Sequence, residues 1–213
     1  MPLALGLVVL SYLLGSIPTS FWVGKAVSGI DLRQEGSGNL GATNAFRVLG
    51  WKAALPVVMV DVAKGFVPVR FFPGMIPSPG HWALAFGAAA ILGHVFSVWV
   101  RFKGGKGVAT SAGVFLGLAP WAVLAGFLVW AGTVFSTRIV SLGSVLAALT
   151  IPVAVWFLPN RGGLPLFWFT VSLASFVTWA HRANIRRLLR GEEHRFGRGP
   201  GRHIVPPVRS EER

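Results

Sequence analysis

The chain contains no cysteine, and only 7 of its 213 residues are acidic. Without cysteine it can form no disulfide, no thiolate nucleophile, no cysteine-ligated zinc site and no iron–sulfur cluster. Charged residues of both signs make up 13% of the chain, about half of the roughly 25% that is usual in soluble domains. Together with 53% hydrophobic residues, this shortage of polar side chains argues against a soluble enzyme and favours a membrane protein.

Five apolar runs are candidates to cross a bilayer, whose hydrocarbon core of about 30 Å needs roughly 20 helical residues. Four of them carry no charge and cover residues 3–23, 81–100, 139–158 and 164–180. The fifth, residues 53–68, is apolar apart from Asp61 and Lys64, which lie three apart and so on neighbouring faces of one helix. The first run lacks a basic segment before it and is long enough to span. We therefore predict a retained helix there rather than a signal peptide.

Residues 108–137 form a further uncharged run that does not fit a single crossing. As one helix it would be about 45 Å long, which is too much for one upright span and too little for two full spans. Pro120 lies near its middle and would break or kink a helix there. The run is therefore either one long span or a pair of short helices.

The distribution of basic residues decides between these two topologies. With a short helical pair the chain crosses seven times, and 17 of its 20 basic residues fall on one side. Arg70 and Arg161 then lie on the other side, and Lys64 lies within the membrane. Because cytoplasmic loops carry an excess of Lys and Arg, we predict an all-α polytopic integral membrane protein. It would have seven transmembrane helices, two of them short, with the N-terminus outside and the C-terminus in the cytoplasm.

This topology also accounts for most of the net charge of +13. Residues 1–195 would form a single membrane domain, and residues 196–213 a basic cytoplasmic tail that is rich in Gly, Pro and Arg and looks disordered. A basic tail is ordinarily explained by topology and by attraction to anionic lipid. No nucleic-acid partner is predicted, because no basic module interleaved with aromatic residues occurs.

Polar chemistry is concentrated in the predicted cytoplasmic loops, and the first of these contains what we call the first glycine loop, residues 36–41. Its glycines permit positive φ and close backbone approach, so that successive N–H groups can form an anion-binding nest. Neutral hydrogen-bonding groups and one arginine complete the set, which consists of Ser37, Gly38, Asn39, Gly41, Thr43, Asn44 and Arg47. The loop also matches G-x-G-x-x-G, but its flanks are apolar helices rather than a βαβ unit, so a dinucleotide site is not predicted.

The second glycine loop, residues 104–107, runs directly into the next predicted helix, whose N-terminal amides favour an anion. Glycines at 104, 105 and 107 bracket Lys106, and Lys103 precedes them. The loop is not a Walker A motif, because no Ser or Thr follows its Gly-Lys pair. Taken alone it could be a tight basic turn. Two such loops on one membrane face predict a site for phosphate.

A third polar region is divided between two stretches of the chain. Ser141 and Ser144 lie near the start of a predicted helix, where they are either helix caps or site residues. His181 and Asn184 lie on one face if the last helix continues through them. Glu193 follows, in what could also be an ordinary helix-ending turn.

These motifs closely resemble the bacterial acyl-phosphate:glycerol-3-phosphate acyltransferase family (PlsY-type). The matching stretches are Gly15-Ser-Ile-Pro-Thr-Ser20, Asp31-x-Arg33-x-x-Gly-Ser-Gly-Asn39-x-Gly-Ala-Thr-Asn44-x-x-Arg47, Asp61-x-x-Lys64-Gly65, Gly93-His94, Phe102-Lys103-Gly-Gly-Lys106-Gly107-Val-Ala-Thr110, Ser141/Ser144 and His181-x-x-Asn184. They extend over about residues 12–193 in the expected order. One departure is Ser97, where the family usually has proline.

The resemblance implies a seven-helix enzyme of the bacterial inner membrane whose active site faces the cytoplasm. It would move a fatty acyl group from acyl phosphate to the sn-1 hydroxyl of glycerol 3-phosphate, giving lysophosphatidic acid and phosphate in the first step of phospholipid synthesis. No cofactor, metal ion or partner protein is implied. The His-x4-Asp dyad of other glycerol-phosphate acyltransferases is absent here, so the resemblance implies a base supplied by the donor's own phosphate.

On this basis we expect Arg47, Lys106, Ser144, His181 and Asn184 to be catalytic. The expected phosphate- and substrate-binding residues are Ser37, Gly38, Asn39, Gly41, Thr43, Asn44, Lys103, Gly104, Gly105, Gly107, Ser141 and Glu193. Which loop binds which phosphate stays open. The main alternative is a membrane transporter of phosphorylated metabolites, although glycine-rich loops all on one side fit alternating access badly.

Overall fold

Every regular element in the described part of the chain is helical. The computed structural model describes residues 1–160 and 162–196. Within them the α-helices are α1 (Pro2–Ser16), α2 (Thr19–Ser28), α3 (Ala42–Leu49), α4 (Trp51–Phe71), α5 (Trp82–Val95), α6 (Val108–Leu118), α7 (Pro120–Thr137), α8 (Val140–Phe157), α9 (Gly163–Ala180) and α10 (Arg182–Leu189). Short 3₁₀ turns follow α4 at Phe72–Met75 and α5 at Val98–Val100. Arg161 and all of the predicted tail except Phe196 lie outside the described residues.

The run at 108–137 forms two helices, as the charge distribution predicted. α6 ends at Leu118, Ala119 takes an extended φ of −151°, and Pro120 opens α7. Proline suits the first position of a helix, where its missing N–H would have no partner in any case. With 11 residues, α6 is only about 17 Å long.

The first apolar run, by contrast, is not the single helix that we predicted. α1 ends at Ser16 and α2 begins at Thr19, with Ile17 and Pro18 outside helical geometry between them. Pro18 has no N–H to donate, and its ring disfavours helical geometry in the residue before it. The proline was the local signal for this break.

Among the described residues, five segments are long and apolar enough to cross a membrane, namely Pro2–Ser28, Trp82–Val100, Pro120–Thr137, Val140–Phe157 and Gly163–Ala180. Many large apolar side chains, among them Trp121, Phe127 and Trp168, are exposed on the helix surfaces. Such surfaces suit a lipid environment. The molecule is therefore an all-helical integral membrane protein.

Small residues let the helices of the N-terminal half pack closely. α4 packs against α6 and α1 against α5, while α7, α8 and α9 pack in succession. At the α4–α6 contact, a side chain at Gly65 would overlap the Thr110 carbonyl, and one at Gly113 would overlap the Val62 carbonyl. Further along, a side chain at Gly117 would meet Val69, so the contact advances in the same direction on both helices, and glycine is what allows their backbones to approach.

Candidate active site

The glycine loops and the third polar region meet at one cavity of about 1390 Å³. Thirteen of the seventeen expected site residues line it, namely Ser37, Asn39, Gly41, Thr43, Asn44, Arg47, Lys106, Gly107, Ser141, Ser144, His181, Asn184 and Glu193. Of the other four, Gly38, Gly104 and Gly105 belong to the same loops, and Lys103 directly precedes the second loop. Segments far apart in the sequence therefore form one site, as the two-loop hypothesis required.

The cavity continues from this polar end into an apolar interior. Each of three helices contributes lining residues deeper in the bundle, including Phe115 on α6, Ile151 on α8 and Leu173 on α9. Along α8 the lining extends from Val140 to Ile151, which corresponds to about 17 Å of helix. The cavity can thus hold a molecule with an anionic head and an apolar chain.

The first glycine loop is held in shape by Asn44. Asn44 is 2% exposed, and its Oδ1 accepts a hydrogen bond from the Ser37 N–H at 2.8 Å. Its Nδ2 donates to Leu32 O at 3.1 Å and to Glu35 O at 3.0 Å. The Gly38 N–H also donates to Glu35 O, at 3.0 Å. Because its polar atoms are engaged in this way, Asn44 shapes the loop.

The second glycine loop is held by the end of α5. The Gly104 N–H donates to Val95 O at 3.0 Å, and the Gly105 N–H donates to His94 O at 3.2 Å. A side chain at Gly105 would overlap the His94 ring. These two amides are engaged with α5 in this structure, so phosphate binding at Gly104 and Gly105 stays a prediction, as it does at the exposed Lys103.

Two helix N-termini open onto the polar end of the cavity. α3 begins at Ala42 and α6 begins at Val108, and both residues line the cavity. The first N–H groups of a helix have no acceptor within that helix and carry its positive dipole end. Each glycine loop therefore leads into a helix N-terminus that is suited to bind an anion.

Two cations flank these helix termini. Lys106 donates a hydrogen bond from Nζ to Asn184 Oδ1. The pKa of Lys106 is lowered to about 8. Burial is the main cause, and the positive charges of Arg187 and Arg47 add to it, while the negative charge of Glu193 acts in the opposite direction. Burial also lowers the pKa of Arg47, although a guanidinium stays charged in proteins. At neutral pH both side chains present positive charge to the cavity.

Glu193 connects residues of the third polar region through hydrogen bonds. Its Oε1 accepts hydrogen bonds from Ser141 Oγ at 2.8 Å and Asn184 Nδ2 at 2.6 Å, and its Oε2 accepts one from Arg187 Nε at 2.7 Å. Burial pushes the pKa of Glu193 up, but the hydrogen bonds from Asn184, Arg187 and Ser141 hold it below its ordinary value. Sequence reasoning missed Arg187, although its position three residues after Asn184 was an available signal.

The two serines of α8 do not cap that helix. α8 starts after Ile139 and has no side-chain cap; Ser144 Oγ donates to Val140 O at 2.9 Å, while Ser141 contacts Glu193. Both serines are buried at the cavity. Of the two alternatives considered for them, the helix-cap role is wrong.

His181 lies at the junction of α9 and α10 and is 3% exposed. Its Nδ1 is 2.8 Å from Val177 O, which can only accept, so Nδ1 carries the proton and Nε2 is an acceptor. The pKa of His181 is lowered to about 4, mainly by burial and then by the positive charge of Lys106. The hydrogen bond to Val177 O and the negative charge of Glu193 raise this pKa, but by less. The imidazole is therefore neutral at pH 7.

Asp61 and Lys64 form a buried pair beside the cavity. Lys64 Nζ is 2.8 Å from Asp61 Oδ1 and also donates to Ile17 O, at the break between α1 and α2, at 2.9 Å. Thr19 Oγ1 donates to the same carboxylate at 3.1 Å, and His94 Nδ1 lies 3.8 Å from it. Asp61 and Lys64, which the sequence placed on neighbouring faces of one helix, therefore form a buried ion pair. His94 was named as part of a matching stretch of the sequence but was not placed among the expected site residues, although it lines the cavity with Asp61.

Within residues 1–160 and 162–196, no group of three or more His, Asp and Glu side chains is arranged to hold a metal ion.

Comparison with known proteins agrees with this geometry. A family described as glycerol-3-phosphate acyltransferase matches residues 5–191. The glycerol-3-phosphate acyltransferase of Chlorobaculum tepidum is 42% identical, over 91% of this chain and 97% of its own. That of Geotalea daltonii is 45% identical, over 90% of this chain and 97% of its own.

Among solved structures, the chain is similar to PlsY, an integral membrane glycerol 3-phosphate acyltransferase. The glycerol 3-phosphate form of PlsY aligns with a TM-score of 0.84 and 39% identity, and the alignment covers 91% of this chain and 96% of that one. Its lysophosphatidic acid form aligns with a TM-score of 0.82 and 38% identity, covering 91% and 95%.

Proposed function

Since the chain belongs to the glycerol-3-phosphate acyltransferase family, we propose that this acyltransferase takes its acyl group from acyl phosphate and places it on the sn-1 hydroxyl of glycerol 3-phosphate. The products are lysophosphatidic acid and inorganic phosphate. The supporting observation is the cavity itself, in which two cations and two helix N-termini surround one end while apolar side chains line the other.

Both substrates are phosphates, and the donor also carries a long apolar chain. The polar end provides Lys106, Arg47 and the N-termini of α3 and α6 for the phosphate oxygens. The interior between α6, α8 and α9 accommodates the fatty chain. A substrate held in this way has its acyl carbonyl at the boundary between the two parts of the cavity.

In the reaction, the sn-1 oxygen of glycerol 3-phosphate attacks the acyl carbon and forms the new ester bond. The bond from that carbon to the phosphate oxygen breaks, and the hydroxyl proton moves to the departing phosphate. The protein contributes positioning and electrostatic stabilisation. Lys106 and Arg47 bind the phosphate charge, while Ser144, His181 and Asn184 orient the acceptor, with Glu193 and Ser141 holding Asn184 in place. No cofactor, metal ion or partner protein takes part.

In the membrane the chain crosses seven times, with α4 and the short α6 added to the five long apolar segments. The N-terminus lies outside, and the active site faces the cytoplasm of a bacterial cell, where most basic residues are placed. Residues 1–195 form the membrane domain, and a basic tail follows from residue 196. Phe196, at the start of that tail, stacks on Phe46 of α3 with ring centroids 4.9 Å apart.

The test is an assay of purified protein in detergent with a chelator present. Phosphate release and lysophosphatidic acid formation should require acyl phosphate and glycerol 3-phosphate together. When acyl-CoA or the acylated form of acyl carrier protein replaces acyl phosphate, no product should form. Phosphate release without glycerol 3-phosphate would indicate a hydrolase, and product formed from acyl-CoA would refute the proposed donor.

A further inference from the structure

Hydroxyl groups in the helices of this protein usually bond to their own backbone. Donation to the carbonyl four residues earlier is made by Ser11, Thr133, Ser136, Thr137, Ser144, Thr150, Ser175 and Thr178. This bond is the ordinary way to satisfy a hydroxyl in an apolar helix. A buried helical hydroxyl that forgoes it therefore needs a reason.

Ser111 on α6 is such a hydroxyl, and it lines the cavity. The residue is 7% exposed, and its Oγ has no hydrogen-bond partner among the described residues. The carbonyl four residues earlier, Gly107 O, accepts the Ser111 backbone N–H at 2.7 Å, as in any helical turn, but receives no hydrogen bond from Ser111 Oγ within the described residues. An unpartnered buried hydroxyl costs free energy unless a ligand completes it.

The position of Ser111 identifies the part of the substrate that it would meet. One turn before it lies the N-terminus of α6 with Val108, and one turn after it lies the apolar Phe115, both lining the same cavity. Ser111 thus marks the boundary between the anion-binding end and the apolar interior. In an acyl phosphate the atom at this boundary is the carbonyl oxygen, which joins the phosphate to the chain.

Three other neutral donors that line the cavity are already engaged with protein acceptors. Ser141 Oγ and Asn184 Nδ2 donate to Glu193, and Ser144 Oγ donates to Val140 O. Ser111 Oγ has no such bond in the part of the chain that the structure describes, and the N-terminus of α6 adds its dipole.

We propose that Ser111 is a catalytic residue whose Oγ–H donates a hydrogen bond to the acyl carbonyl oxygen of the donor. This inference rests on the proposed function. As the sn-1 oxygen attacks, the carbonyl π electrons move onto that oxygen, and the Ser111 hydrogen bond and the α6 dipole stabilise its negative charge. When the carbonyl reforms, the phosphate leaves with its bonding electrons and the acceptor's proton. Ser111 itself neither gains nor loses a proton.

The test compares Ser111→Ala with Thr110→Val in the full-length protein. Thr110 is the matched control, because its hydroxyl is also buried and has no partner in the described part of the chain, but the residue packs on α4 at Gly65. Loss of an oxyanion donor should lower the kcat of Ser111→Ala by about 10²-fold, with KM for glycerol 3-phosphate nearly unchanged. Thr110→Val should keep kcat within about threefold of wild type, since the hydroxyl it loses has no partner.

A second variant, Ser111→Cys, keeps a weak donor and should give a kcat between those of wild type and Ser111→Ala. Size-exclusion chromatography and thermal unfolding in detergent check that each variant is folded. If wild type is active and Ser111→Ala retains its full kcat, the role of Ser111 is refuted and the proposed function stands. If wild type is inactive with acyl phosphate, the proposed function itself fails. Equal losses in Ser111→Ala and Thr110→Val would also refute the catalytic role.

Discussion

The two glycine loops both lead into a helix N-terminus at the cavity, but their glycines are needed for different physical reasons. In the first loop, Gly36 and Gly38 have φ of 59° and 69°, a region that other residues rarely adopt. In the second loop, Gly104 and Gly105 lie outside that region, but side chains there would overlap α5. Gly36 and Gly38 of the first loop thus need glycine for backbone conformation, as does Gly107 at the end of the second loop with φ of 81°, whereas Gly104 and Gly105 need it for close approach.

The loops also differ in what holds them. The side chain of Asn44, three residues into the next helix, bonds to the first loop and so supports it from within its own segment. The second loop is held by backbone carbonyls of His94 and Val95, which belong to the preceding helix. One motif is therefore largely self-contained, whereas the other depends on the placement of α5. Four experiments test this contrast.

The largest effect is expected from the cations beside the loops. Lys106→Ala and Arg47→Ala should each lower turnover by about 10²-fold or more, because each removes a charge that stabilises phosphate oxygens. Rates with saturating acyl phosphate and glycerol 3-phosphate measure this. Lys52→Ala is a suitable control, since Lys52 is an exposed cation at the start of α4. Near-normal turnover in both cavity variants would place the phosphate site elsewhere.

The close-approach role of the second loop can be tested by filling Gly105. Gly105→Ala should destabilise the protein by about 1–3 kcal/mol, because the new methyl group overlaps the His94 ring. Adding His94→Ala should recover much of that loss. Gly104→Ala provides the control, since its methyl would meet the His94 and Val95 carbonyls, which His94→Ala leaves in place. Thermal unfolding in detergent is measured for Gly105→Ala and Gly104→Ala, each with and without His94→Ala. Equal rescue of both alanine variants would contradict the assignment.

The conformational role of the first loop predicts a different pattern. Gly38→Ala should cost about 1–2 kcal/mol because alanine resists positive φ, and Gly38→Asn should cost less because asparagine tolerates that region. The crowding of a Cβ against Arg33 O, at 3.1 Å, is common to both variants and cancels in the comparison. The same unfolding measurement applies. If asparagine is no better than alanine, crowding and not φ governs this position.

The smallest effect is expected from pH, and it distinguishes the two cations. The pKa of Lys106 is lowered to about 8, whereas Arg47 stays charged. Because the protonated lysine is the active form, kcat/KM for glycerol 3-phosphate should fall by about fourfold between pH 7 and pH 8.5. In Lys106→Arg this alkaline decline should disappear, whatever the absolute rate. A decline that persists in the arginine variant must come from another group.

Much of this architecture could be predicted from local properties of the sequence. Uncharged runs of spanning length indicate membrane helices, and Pro120 marked the division of residues 108–137 into α6 and α7. The division at Pro18 had the same kind of signal but was missed, because the surrounding run was long enough to span as one helix. The polar residues of the cavity were recognised because they are concentrated in a few short motifs.

Contacts between distant segments could not be predicted in this way. The hydrogen bond from Ser141 to Glu193 joins residues 52 apart, and Lys64 reaches the carbonyl of Ile17 from 47 residues away. The engagement of the Gly104 and Gly105 amides by α5 likewise depends on how helices pack. A motif identifies which chemical groups are available, but their neighbours depend on the whole bundle.

The sequence by itself determined that the chain is a helical membrane protein with two glycine loops that have basic residues in or near them, because hydropathy and backbone preference act over a few adjacent residues. Only the tertiary structure decided which hydrogen-bond donors remain available to a ligand. Whether a donor is already bonded depends on acceptors that other parts of the chain bring next to it. Ser111 illustrates the difference. Its residue type is unremarkable in a helix, and its unpartnered hydroxyl became visible only once the surrounding helices were in place.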